Sequence, residues 1–295
     1  MKAQLTITHV ATPGEAQHFL AAGFCPVECS FGEASVVDDL RMDHHGSLSH
    51  LEGVAVRAYR DHLGARASDP RFAVTGAADA DATFAMAALA GMLPQPGTRP
   101  DTGTLSGLAA LINRADTDPI GLRLGECNDG RKLLLFKRLS SGAQDATSFY
   151  AGIDRWRILL GPNPPVALLD AVGAEEQRRV TDARAAKSET IGPHVALVES
   201  EVWGYDVWYA ELRPVIVAYQ AGQGRVSIGC RDSATAQRIF GPFGLRRVFP
   251  TLEPPGWGGR ETIGGSPRGV AISRSQAHAA ALRVEALVTP QLFQA

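Results

Sequence analysis

The sequence predicts an α/β protein made of two modules joined by a helix. Three observations carry this. In the first half, short β-branched runs are each followed by a loop and then by an apolar helical stretch. A long Ala-rich, charge-rich segment, Pro164–Lys187, interrupts the pattern. Beyond it come strand-like runs separated by turn residues. The expected partition is an N-terminal parallel-sheet domain over residues 1–162, a helical connector over 163–190, and a smaller α/β domain over 191–295.

Taken in order, Gln4–Thr8 alternates as a first strand, His9–Gly14 breaks it, and Glu15–Ala22 reads as a helix with Pro13 near its start. Ser35–Val37 is the tail of a second strand, and Ser47–Leu63 has helical periodicity. Arg71–Thr75 is a strand, Gly76–Asp81 a small-residue loop, and Thr83–Met92 a helix apolar on more than one face, hence buried between layers. Leu105–Ile112 is helical, and Pro119 puts Asn113–Asp118 on a turn. Lys132–Phe136 fits a strand or a helical turn, and Phe149–Leu160 is amphipathic. In the second module Val195–Glu199, Val207–Ala210, Val215–Tyr219 and Arg225–Gly229 read as strands. Thr235–Phe240 and Ser275–Val288 read as helices, and Pro250–Gly269 as a Pro/Gly-rich loop.

The chain has 295 residues, 45% hydrophobic and 20% charged, with a net charge of −2. That is an ordinary globular composition. The charge gives no global case for long nucleic acid, although a local basic groove stays open. Cys25, Cys29, Cys127 and Cys230 lack zinc-finger spacing and read as free, buried thiols of a cytoplasmic protein. The first residues are too short in apolar length for a signal peptide, and no apolar run approaches the roughly 18 residues of a membrane span.

The chemistry concentrates in Val36–Gly46, where Asp38, Asp39 and Asp43 stand beside His44 and His45. Mixed carboxylates and imidazoles suit a borderline divalent ion. The plainer reading is a polar turn with Asp43 capping a helix. Two further strand-end loops carry His9 and the pair Asp79/Asp81, and Asp116 stands in a fourth loop. In a parallel sheet such loops gather on one edge. There, clustered carboxylates would repel one another unless cations neutralised them. Asp79 or Asp81 can equally be a helix N-cap.

Asp43-His44-His45, behind Val36-Val37-Asp38-Asp39, resembles the signature of the DHH phosphoesterases. Gly258-Gly259-Arg260-Glu261-Thr262-Ile263-Gly264-Gly265 is similar to the Gly-rich loop of their associated C-terminal domain, and Val226–Arg231 to its preceding strand. The resemblance implies a metal-dependent phosphohydrolase with its active site in an interdomain cleft, acting on a small phosphorylated molecule or short nucleotide. It implies Mn2+, with Mg2+, Fe2+ or Zn2+ as alternatives, and is compatible with a homodimer. His44 would be a metal ligand, with Asp38 or Asp39 and the recruited His9, Asp79, Asp81 and Asp116. His45 would face the scissile phosphate and Asp43 would orient the histidines. Arg260, Arg231 and the backbone of Gly258 and Gly259 would grip a substrate anion. Pro13 and Glu15 stand where the family carries its first two aspartates. The alternative is therefore a catalytically impaired nucleotide- or anion-binding member of the same fold. Trp203, Tyr205, Trp208 and Trp257 could stack a base or simply pack a core.

Overall fold

The computed structural model describes residues 5–31, 34–35, 52–62, 70–94 and 105–288. The fold is mixed α/β, with one parallel sheet and one mixed sheet. Two compact units divide the chain: Met1–Pro119 with Arg123–Glu176, and Ile120–Leu122 with Gln177–Ala295. The division falls inside one helix, α7 (Val166–Ala185).

The first unit holds a three-stranded sheet. β5 (Arg71–Val74) lies between β1 (Thr6–His9) and β2 (Cys25–Val27), parallel to both. His9 and Val27 both pair with Val74, so all three strands end at the same edge. Helix α1 (Pro13–Ala21) returns from β1, with Thr12 as N-cap and Pro13 at its start. β3 (Ser30–Phe31) and β4 (Ala34–Ser35) form a separate antiparallel ladder. Ser35, expected on a strand of the main sheet, belongs to that ladder instead; Val36 and Val37 lie outside the described residues.

Among its described residues the first unit also holds α2 (Val54–His62), α3 (Ala80–Leu89), α4 (Leu105–Thr117), α5 (Asn128–Leu139), α6 (Ala146–Leu159) and the start of α7. As its all-round apolarity predicted, α3 is buried on nearly every side. Its Phe84 meets Trp156 edge-on at 5.5 Å, and Phe136 stacks on the same indole at 4.5 Å. Gly152 lets α6 approach α3, because a Cβ there would lie 2.6 Å from the Thr83 methyl. Tyr150 closes the free side of β1: its hydroxyl accepts from Ile7 N at 2.9 Å and donates to Leu5 O at 3.2 Å.

The second unit is a six-stranded sheet in the order β10–β11–β9–β8–β7–β6. These are β6 (Lys187–Thr190), β7 (Val195–Glu199), β8 (Val215–Gln220), β9 (Arg225–Cys230), β10 (Gly258–Gly259) and β11 (Ile263–Gly265). Only β7 and β8 pair in parallel. Alternate residues of these two strands go to opposite faces. Val195, Leu197, Val215 and Val217 pack with α9 (Ser233–Phe240) and α10 (Arg274–Ala286). Ala196, Val198, Ile216 and Ala218 pack with the end of α7 and with α8 (Tyr205–Glu211). A sheet covered on both faces explains why these strands read as unbroken apolar runs.

Three expectations are corrected. Val207–Ala210 lies in α8, its β-branched look reflecting burial of Val207 and Trp208 against the sheet. For Lys132–Phe136 the helical alternative holds, inside α5. Asn113–Thr117 continues α4, where Asp118 N still donates to Arg114 O at 2.9 Å; Pro119 acts only beyond that bond. The expected connector ends early, since Lys187–Thr190 is strand β6.

Candidate functional site

At the shared edge of the parallel sheet, His9 closes β1 and its Nε2 lies 3.2 Å from Gly76 O, in the loop after β5. With the proton on Nε2 and given to that carbonyl, Nδ1 keeps its lone pair. This is how metal-binding histidines are commonly held. Beside β2, Glu28 is buried and takes the left-handed conformation (φ 48°), unusual for a side chain larger than Gly. The Thr75 hydroxyl lies 2.8 Å from Glu28 O and 3.2 Å from Ser30 O, fixing the turn. The sequence reading passed over Glu28. Its only signal was an acid directly after a short apolar strand, Cys25–Val27.

The β5–α3 loop leads to Asp79 and Asp81, and both carboxylates accept helix N–H groups. Asp79 caps its own helix, accepting from Ala82 N at 2.9 Å. Asp81 is buried and reaches across to α2, accepting from Val54 N at 2.8 Å and Ala55 N at 3.0 Å. Asn113 accepts from Gly53 N at 2.6 Å, so two neighbouring helices hold the start of α2. Glu15 turns back on its own helix start, its Oε2 accepting from Ala11 N at 2.8 Å.

Asp116 is exposed on the last turn of α4 instead of in a strand-end loop, because the helix runs on to Thr117. Asp38, Asp39, Asp43, His44 and His45 lie outside the described residues. Among the described residues, no group of three or more His, Cys, Asp or Glu side chains is arranged to hold a metal ion.

In the second unit, Gly258–Gly265 is a β-hairpin on the sheet edge, where a loop was expected. Gly258 pairs with Gly265, Gly259 with Gly264, and Arg260 N donates to Ile263 O at 2.7 Å. Alternation of bonded and non-bonded pairs then turns the Gly259 N–H toward the outer edge. Packing demands two of these glycines. A Cβ on Gly264 would meet the Phe249 ring at 2.2 Å, and one on Gly259 would meet Gly264 at 2.3 Å; a Cβ on Gly258 would meet open space. Arg260 and Arg231 are exposed, and Arg231 Nε lies 3.9 Å from Asp232.

The aromatic residues divide. Tyr205 and Trp208 are buried, and Trp208 Nε1 donates to Ala183 O at 2.8 Å. Tyr205 OH donates to Ser227 Oγ at 2.9 Å. Trp257 is buried, whereas Trp203 is exposed against the Tyr205 ring. All four cysteines are thiols. Cys127 is exposed, not buried as expected, because its Sγ caps α5 by accepting from Gly130 N at 3.3 Å. Burial pushes the Cys230 thiol up to about 12, and raises Tyr205 and Tyr209 well above the usual phenol range. No family model, curated protein or solved structure matches this chain.

Proposed function

We propose that the chain is a divalent-metal-dependent phosphohydrolase for a small phosphorylated molecule or short nucleotide, with Mn2+ as the preferred ion. The observation that carries the reading is the ordered pair of motifs, Asp43-His44-His45 behind Asp38-Asp39 and the Gly258–Gly265 segment far downstream, which resembles the DHH phosphoesterases. The donor chemistry of the parallel-sheet edge fits such an ion. A half-buried histidine there is hydrogen-bonded through one ring nitrogen.

When bound, a divalent ion polarises a phosphoryl oxygen and lowers the pKa of water. In this reading His44, with His9 and Asp38 or Asp39, holds the ion, Asp43 orients the histidines, and His45 faces the scissile phosphate. Arg260 and Arg231 offer guanidinium forks to a substrate anion, and the Gly259 N–H adds a backbone donor.

A second reading, an impaired binding module of the same fold, is favoured by one observation. Glu15, which stands for a family aspartate, spends its carboxylate on the start of α1. Metal analysis and turnover separate the two. The hydrolase binds Mn2+ and cleaves a dinucleotide, a phosphodiester chromogen or pyrophosphate, and His44→Ala loses both properties. A chain that stays metal-free and inert under added Mn2+ sinks the first reading.

A further inference from the structure

The mixed sheet of the second unit has β6 on one edge, and all four residues of that strand are exposed. Its inner side pairs with β7 in antiparallel register, Lys187 opposite Glu199 and Glu189 opposite Leu197. Ile191 N donates to Val195 O at 3.0 Å, which continues that register and fixes its phase. Bonded and non-bonded pairs alternate. Lys187 and Glu189 therefore give their backbone groups to β7, while Ser188 and Thr190 turn N–H and C=O outward. Among the described residues nothing bonds to those outward groups. The strand also has no proline and no bulge, two devices that blunt an open edge.

The side chains above this edge carry a second signal. Lys187 and Glu189 share the face of Leu197, on which α10 packs. From α10, His278 Nε2 lies 3.0 Å from the Glu189 carboxylate and Arg274 lies 3.5 Å from it. Arg274 also reaches Glu199, the acid opposite Lys187, at 3.2 Å. Lys187 itself makes no ion pair among the described residues. Leu282, one turn beyond His278 on the same row of α10, is 50% exposed.

We propose that β6 pairs antiparallel with β6 of a second copy of this chain, about a two-fold axis through Ser188, joining two six-stranded sheets edge to edge. Ser188 then exchanges both outward bonds with its own counterpart, and Thr190 stands opposite Ala186. Lys187 of each copy stands opposite the Glu189 of the other. These are the non-bonded pairs of the new ladder, whose Cα atoms approach to about 4.5 Å and whose side chains meet most closely. An axis through Glu189 would oppose two carboxylates, and one through Thr190 would give Lys187 no acid across from it. Lys-x-Glu is complementary to itself read backwards, which selects a second copy over an unrelated strand. The two α10 helices share one face of the joined sheet, each with Leu282 on its flank toward the other. The contact involves neither metal nor hydrolysis, so it stands apart from the phosphohydrolase reading.

Sedimentation velocity of the full chain over a concentration series tests this. The wild type shows a dimer fraction that rises with concentration up to about 100 μM. Ser188→Pro removes an outward N–H that β7 does not use, so the edge strand keeps its place and the chain stays monomeric. Lys187→Glu sets like charges opposite one another and weakens dimerisation about tenfold. Ser188→Cys forms a disulfide between copies under mild oxidation, because opposed bonded residues stand about 5.5 Å apart, within disulfide reach. That cross-link is scored in a Cys127→Ser chain, since Cys127 is exposed. Near-ultraviolet circular dichroism verifies that each variant keeps its fold. A wild type that is monomeric throughout overturns the proposal, as does Ser188→Pro dimerising like the wild type. Tighter dimerisation of Lys187→Ala overturns it too, because the lysine would then guard the edge against pairing. So does a monomer whose Ser188 and Thr190 amides resist hydrogen exchange, its edge being covered by another segment.

Discussion

Asp81 shows how one residue type serves two chemistries. Read along the chain, Asp-x-Asp before a helix is a ligand pair or a cap, and spacing alone does not choose. The structure turns Asp81 away from its own helix and onto the first N–H groups of α2. A charged acceptor on buried donors is worth more than a surface cap. Asp81→Ala should cost about 2–3 kcal/mol in urea unfolding, and Asp81→Asn clearly less, since an amide oxygen still accepts. Equal losses for the two variants would refute the capping account. Gly264 makes a separate case. Gly264→Ala drives a methyl into Phe249 and should destabilise by about 1–3 kcal/mol. Phe249→Leu in the same chain should recover part of that loss. No recovery in the double variant would mean that the hairpin backbone, not the ring, sets the requirement.

Elements were legible where local signals agree. Pro13 near the start of α1 and the apolar pattern of α3 on more than one face were readable because proline geometry and periodicity act within a few residues. Val207–Ala210 was misread because helix α8 is short and buries the β-branched and aromatic residues that a strand would also use. The hairpin Gly258–Gly265 looked like a loop because glycine disfavours strands in isolation; its pairing is set by β9, to which β11 is hydrogen-bonded. The packing of α8 on β9 also leads to a pH prediction. Gly229 leaves room for Tyr209, since a Cβ there would lie 2.2 Å from its hydroxyl. Burial holds the Tyr209, Tyr205 and Cys230 acids protonated in the fold. Groups whose pKa is raised on folding contribute stability that is complete below their unfolded values, about 8.5 for the thiol, and lost as pH climbs. Unfolding free energy should therefore decline from about pH 8.5 upward and keep falling through about 12. Tyrosinate absorbance from Tyr205 and Tyr209 should appear only with loss of secondary structure. Titration of both in a chain with native circular dichroism would contradict this.

At the scale of the molecule, the sequence by itself determined the α/β class and the long helix α7. Hydrophobic periodicity and turn residues report each element's local preference and its burial, and those suffice for class. It also carried the motif resemblance on which the phosphohydrolase reading rests, because Asp43-His44-His45 and Gly258–Gly265 are each contiguous in the chain. Tertiary structure alone decided what each polar side chain bonds to. Asp79, Asp81 and Glu15 are acids at helix starts in the sequence, but only the packed chain shows that α2, not α3, takes the Asp81 carboxylate. The division inside α7 was hidden for the same reason: Leu169 and Val172 are buried in one unit, Val180 and Ala183 in the other, and the helix has a single uninterrupted pattern.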